Sequence, residues 1–109
     1  MNNNEKSQDY LNILRKINST SGISQRNLAK ELGFSLGKLN YCLQALKNKG
    51  FLKIKNFQKN PNKLNYAYIL TPKGISEKTQ LTVNFMKRKM QEYDELKNEL
   101  QKDQNVDNN

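Results

Sequence analysis

Histidine and tryptophan are absent from this chain of 109 residues, and there is one cysteine, Cys42. Without histidine the commonest general base and metal ligand is missing. One cysteine without histidine makes no zinc site and no internal disulfide. No Gly-rich phosphate loop and no Gly-x-Ser-x-Gly elbow occurs. No apolar run approaches the roughly 18 residues of a membrane span. The opening stretch MNNNEKSQDY offers no apolar core of a signal peptide. These absences argue against an enzyme, a metal or cofactor site and a membrane protein. They lead us to expect a cytoplasmic protein with a reduced thiol.

Positive charge is abundant. The chain carries +9 with a pI near 9.7 and a mean hydropathy of −0.96. Lysine and asparagine are both frequent, as an AT-rich genome alone would produce, so the distribution of charge is more informative than its total. Residues 1–21 carry +1, 22–50 carry +4, 51–75 carry +5 and 76–109 carry −1. Glu31 is the only acid between residues 22 and 75. A compositional bias would raise lysine everywhere without stripping acids from the middle, so a polyanion-binding centre is expected.

Apolar periodicity divides the chain. Residues 1–6 read as a polar, disordered tail. From Ser7, a plausible N-cap, Tyr10, Leu11, Leu14 and Ile17 form a helical stripe with Ile13 beside it. STSG, residues 19–22, breaks that helix. Ser24 caps a second helix with Leu28 and Leu32 inward, Ala29 at a close approach and Gly33 at its end. Ser35 caps a third, in which Leu36, Leu39, Leu43 and Leu46 recur as an inward stripe until Gly50. Cys42 lies on the flank of that stripe and reads as a small core residue.

The period then changes. FLKIKNF and LNYAYIL alternate around the turn-forming run QKNPNK, which predicts a β-hairpin. Thr71 and Pro72 then open a helical segment, or a turn before one. A helical pattern spans residues 76–102, and 103–109 read as a frayed tail. Three helices and a hairpin give a mainly α fold with a small β-hairpin. We read residues 7–75 as a winged helix-turn-helix domain, followed by a long C-terminal helix.

On the third helix, the face opposite the leucines holds Gly37, Lys38, Tyr41, Gln44, Ala45 and Asn48, none acidic. Glycine inside a helix costs about 1 kcal/mol relative to alanine, and close approach of the backbone to a duplex would explain it. Lys38, Tyr41 and Gln44 offer groups for bases and phosphates. With Ser35 at the cap they form the expected reading surface. Ser24, Gln25 and Arg26 begin the second helix, where backbone N–H groups favour phosphate. Lys55, Lys59, Asn60 and Lys63 place a lysine-rich wing at the duplex backbone or minor groove. In the last helix Val83, Met86, Met90, Tyr93, Leu96 and Leu100 form a narrow stripe suited to pairing in a homodimer. Packing of that stripe back onto the first helix, and partial disorder, are the plain alternatives.

The stretches ELGFSLGKLNYCLQALKNKGFLKIKNF and NKLNYAYILTPKGISEKTQLTVNFMKRKMQEYDELK closely resemble small MarR-type regulators associated with bacterial exopolysaccharide gene clusters. LTPKG alone is shared by many winged helices; SLGKLNYCL, NYAYILTPKGI and FMKRKM resemble the subgroup. The resemblance covers residues 10–100. It implies a dimeric, sequence-specific regulator of double-stranded DNA, with the third helix as recognition helix and surface-polysaccharide or capsule genes as its setting. Larger members have a longer N-terminal helix and an effector pocket. Here about nine residues precede the first helix core, and no small-molecule site is identifiable. Two other classes fit the residues: a winged-helix protein–protein adaptor, and a non-specific nucleic-acid or RNA binder.

Overall fold

The computed structural model describes residues 3–20, 23–60 and 63–107, with the side chains of 55–60, 63–67 and 107 left outside the description. Gly22, Pro61 and Asn62 therefore lie outside the described residues. Helix α1 spans Asn3–Ser19, α2 Gln25–Leu32 and α3 Leu36–Asn48. Strands β1 (Leu52–Asn60) and β2 (Lys63–Leu70) follow, and α4 spans Pro72–Asp107. The order is that of a winged helix-turn-helix domain carrying one long C-terminal helix.

The core is built where α1, α2 and α3 cross. Ile13 and Leu14 of α1, Leu28 of α2, and Leu39 and Leu46 of α3 are fully buried. Each such side chain contributes about 1.5–3 kcal/mol when removed from water. Tyr10, Leu11, Ile17, Ala29, Cys42 and Leu43 complete this layer, and Leu52 and Leu70 close it from the base of the hairpin. Burial raises the Cys42 thiol above its ordinary pKa, and the nearby Asp9 carboxylate adds to the shift while Lys38 and Lys6 oppose it.

The helix ends follow the local chemistry. Ser24 Oγ accepts from the Asn27 N–H at 3.1 Å, and Ser35 Oγ from the Lys38 N–H at 3.0 Å. Each satisfies one of the amides that a helix start leaves unpaired. Gly33 closes α2 at φ 71°, a left-handed conformation that costs glycine nothing, and its N–H reaches Lys30 O.

The hairpin is antiparallel, from Leu52 opposite Leu70 to Asn60 opposite Lys63, with one irregularity between Gln58 and Asn60. Its strands run further than the alternation alone predicts. QKNPNK was expected to be all turn, yet Gln58, Lys59 and Asn60 belong to β1 and Lys63 to β2.

Three features differ from the sequence reading. First, α1 begins at Asn3, so Ser7 is an interior residue and not the cap, and residues 3–6 are helical. Glu5 falls in the first turn, where a carboxylate favours the helix dipole. Asn4, Glu5 and Gln8 also border a cleft against Phe85, Arg88, Lys89 and Glu92 of α4, which gives this turn something to lie against. Second, the segment opened by Thr71 and Pro72 is continuous with the helix expected over 76–102, and that helix runs on to Asp107 instead of 102. Third, Leu36 is about half exposed, at 49%. The inward direction of α3 is set by Leu39, Cys42, Leu43 and Leu46, and at 100° per residue Leu36 lies to one side of it.

At 1.5 Å per residue α4 is about 54 Å long, and it gives the molecule its extents of 75 × 26 × 24 Å. Its start is fastened to the end of α3. Thr71 Oγ1 donates to Gly50 O and accepts from the Gly74 N–H at 3.0 Å, while the Thr71 N–H donates to Phe51 O at 3.1 Å. A Cβ on Gly74 would lie 2.0 Å from that same Phe51 oxygen. Thr71 therefore caps α4 as expected, and the threonine and glycine of LTPKG are the fastener between the two helices.

Candidate nucleic-acid interface

The outward face of α3 is open and free of acids. Gly37, Asn40, Tyr41, Gln44 and Asn48 are all exposed, Tyr41 at 65%. Lys47 is exposed at their edge. Setting the wheel by the buried residues puts Gly37, Gln44 and Asn48 opposite the core, with Tyr41 and Asn40 on either side. Asn40 and Lys47 were not among the residues read from the sequence. Giving Leu36 a core position turned the wheel away from them, and the Leu39, Cys42, Leu43, Leu46 set would have found them.

Among the described residues nothing requires glycine at position 37. A Cβ built there meets no atom within 4 Å. The absence of a side chain leaves the α3 backbone bare at the first turn, beside the amides of the helix start. There a phosphate or base edge is favoured by the helix dipole.

Lys38 takes a different position from its neighbours. Its Nζ lies 3.2 Å from Asp9 Oδ2 and 4.2 Å from the centre of the Phe34 ring. The Asp9 side chain is largely buried, at 15% exposed. Lys38 is thus turned toward α1, bracing α3 against it, and to reach a base edge it must leave that carboxylate. The two roles separate by mutation. If Lys38 acts as a brace, Lys38→Ala and Asp9→Asn each lower stability, by about 1 kcal/mol for a partly exposed pair. The double variant then loses little more than either single one. If Lys38 also touches DNA, Lys38→Ala lowers DNA affinity further than Asp9→Asn does, which a titration of all three variants measures.

Around this face, Ser24 and Ser35 spend their hydroxyls on caps, Arg26 is exposed, and Gln25 Oε1 accepts from the Tyr68 hydroxyl at 3.3 Å. The Tyr68–Gln25 bond ties β2 to the first turn of α2 and so holds the hairpin beside the helix pair. Glu31 pairs with Lys16 at 3.3 Å, so the only acid of the central region is engaged by α1. Of the expected wing residues, Lys55 is opposite Ala67, Asn60 is opposite Lys63, and Lys59 falls in the irregularity of the ladder. Their side chains lie outside the described residues.

The family described as winged helix-turn-helix DNA-binding matches residues 11–53, the segment that runs from α1 through α3 into β1. No curated protein matches the chain. Among solved structures, the PcaV transcriptional regulator of Streptomyces coelicolor, in complex with its natural ligand, aligns with TM-score 0.62 and 16% identity. That alignment covers 72% of this chain and 55% of PcaV. A mutant of MepR from S. aureus bound to an oligodeoxyribonucleotide aligns with TM-score 0.59 and 20% identity, over 89% of this chain and 74% of that one. A MarR transcriptional regulator from Methanosarcina mazei aligns with TM-score 0.56 and 19% identity, over 89% and 78%. The chain spans little more than half the length of PcaV and of the S. aureus MarR structure, of which it covers 57%. The chain therefore carries a winged helix-turn-helix domain, and solved structures that share its fold include MarR transcriptional regulators.

Proposed function

We propose that this protein is a sequence-specific, double-stranded-DNA-binding regulator that acts as a homodimer. The observation that carries the reading is the outward face of α3: exposed, without an acid, and opening on a glycine that no packing explains. Gly37, Asn40, Tyr41, Gln44 and Asn48 enter the major groove, the glutamine and asparagines matching adenine edges and the tyrosine a phosphate or thymine methyl. Arg26 and the amides at the start of α2 hold phosphate, with Ser24 and Gln25 shaping that turn. Lys55, Lys59, Asn60 and Lys63 follow the backbone or minor groove beside it. Val83, Met86, Met90, Tyr93, Leu96 and Leu100, all exposed along α4, join two copies. Two reading helices then address a palindromic site.

Support comes from the acid-free charge of the central region and from MepR, which was solved bound to an oligodeoxyribonucleotide. The resemblance of SLGKLNYCL, NYAYILTPKGI and FMKRKM to exopolysaccharide-associated regulators supports surface-polysaccharide or capsule genes as the target.

The test uses one substitution with opposite effects. Gly37→Ala should stabilise the free protein by up to about 1 kcal/mol, since alanine is the better helix former and has room. The same change should weaken binding to an operator selected from genomic fragments by tenfold or more, about 1.4 kcal/mol. A variant that is more stable and binds the operator equally well would remove α3 from the interface. Equal affinity of the wild-type chain for operator, random duplex and single strands would point to non-specific binding. No salt-dependent DNA affinity at all would point to a protein–protein adaptor.

A further inference from the structure

The α4 stripe divides at its midpoint into halves of opposite charge. Residues 83–91 hold Lys87, Arg88 and Lys89 and no acid, a net +3; residues 92–100 hold Glu92, Asp94, Glu95 and Glu99 against Lys97, a net −3. The apolar positions are spread across both halves, and Val83, Met86, Met90, Tyr93, Leu96 and Leu100 are each between 39% and 66% exposed. The chain itself does not cover them: α1 borders α4 on another side, along Phe85, Arg88, Lys89 and Glu92.

Pairing within the helix does not account for the charge order. An acid N-terminal to a base is the favoured arrangement along a helix, and here the bases come first. Lys89 does reach Glu92 at 3.3 Å, but that pair is exposed and worth little. On α1 the cleft beside the basic block offers one acid, Glu5, against three cations.

We infer that the stripe is covered by the same stripe of a second copy running antiparallel, with the two-fold axis passing between Gln91 and Glu92. This rests on the homodimer reading above and fixes its orientation. About that axis Val83 meets the partner's Leu100, and Met90 meets the partner's Tyr93. Lys89, beside the stripe, is level with the partner's Asp94. The +3 half of each helix therefore lies along the −3 half of the other. A parallel pair would set each basic block against its own copy and each acidic block likewise, a repulsion over the whole contact. It would also bring both winged domains to the same end, whereas the antiparallel pair carries them to opposite ends of a shared rod.

Site-directed cross-linking reads the orientation directly. The wild-type chain is the blank, because its one cysteine, Cys42, is 2% exposed. Val83→Cys and Leu100→Cys are made singly in the full chain, mixed, and oxidised. The antiparallel pair gives a disulfide between the two variants and little within either alone. Dimers that join Val83→Cys to itself would overturn the orientation. Sedimentation at low and high salt supplies a second readout: an antiparallel dimer weakens as salt rises, and one that strengthens also overturns the inference. A monomer at all concentrations would remove the α4 interface altogether. That failure is distinct from a failure of the α3 interface, which the DNA titration of Gly37→Ala reports.

Discussion

Gly74→Ala is expected to destabilise the protein by about 3 kcal/mol, the upper part of the range for forcing an atom into a packed site. The added Cβ would lie 2.0 Å from Phe51 O and 2.9 Å from Phe51 C, both backbone atoms. A side chain could swing aside; a carbonyl fixed by two neighbours cannot. That carbonyl already accepts the Thr71 N–H, and Thr71 in turn donates to Gly50 O. Relief therefore requires the first turn of α4 to lift away from the end of α3, breaking the fastener between them. A small domain is stable by only about 5–15 kcal/mol, so the loss should be visible as a clear drop in the urea midpoint. DNA affinity should fall as well, because α3 and the hairpin lose the anchor that orients them against α4. A midpoint unchanged from wild type would show that the α3–α4 junction is slack. The comparison with Gly37→Ala is informative. The chemical change is the same, and both glycines lie in the first turn of a helix, yet the signs are opposite. One glycine is required by the protein's own backbone, and the other by nothing among the described residues.

That contrast also marks what the sequence could and could not reveal. Leu28, Leu39, Leu43 and Leu46 announce their faces by spacing alone, because a 3.6-residue period has few ways to bury four leucines. Ser24, Ser35, Gly33 and Thr71 mark helix ends because each supplies a group that an end lacks. The hairpin follows from a switch of period around a proline. Leu36 misled because it continues the leucine spacing. Only the positions of α1 and α2 decide which part of the α3 surface is covered, and those are tertiary facts. The bracing of Lys38 by Asp9 joins residues 29 apart in sequence through two helices, and nothing local to either residue signals it. The α1 start was missed for a related reason. Its polar residues can form helix or coil, and packing against a neighbouring helix, as at Asn4 and Gln8 beside Phe85, decides between them. At the candidate interface the composition was legible: a surface without acids, a glycine without a reason, and lysines around it. Asn40 was hidden by the same rotation of the wheel that buried Leu36.

The inward direction of α3 can be tested by a pair of substitutions that treat its two leading leucines alike. Leu39→Ala should cost about 2–5 kcal/mol, the range for removing a buried leucine side chain and leaving a cavity. Leu39 is 0% exposed and lies in one cluster with Ile13, Leu14, Leu28, Cys42 and Leu46, so three helices lose a common contact. At the upper end of that range the domain would be largely unfolded at modest temperature. Leu36→Ala, one turn earlier and 49% exposed, should change stability by about 0.5 kcal/mol or less, because most of its surface is already in water. Thermal melts of the two variants under identical conditions check the difference. DNA binding adds a second axis. Leu39→Ala should lose affinity in step with the folded fraction, recovering when the folded state is favoured by low temperature. Leu36→Ala should keep its fold, so any change in its operator affinity reports the α3 surface itself. If the two variants were equally destabilised, the wheel would have to be turned back toward Leu36. Asn40 and Lys47 would then leave the outward face and Tyr41 would become its centre, and the assignment of the reading residues would move with them.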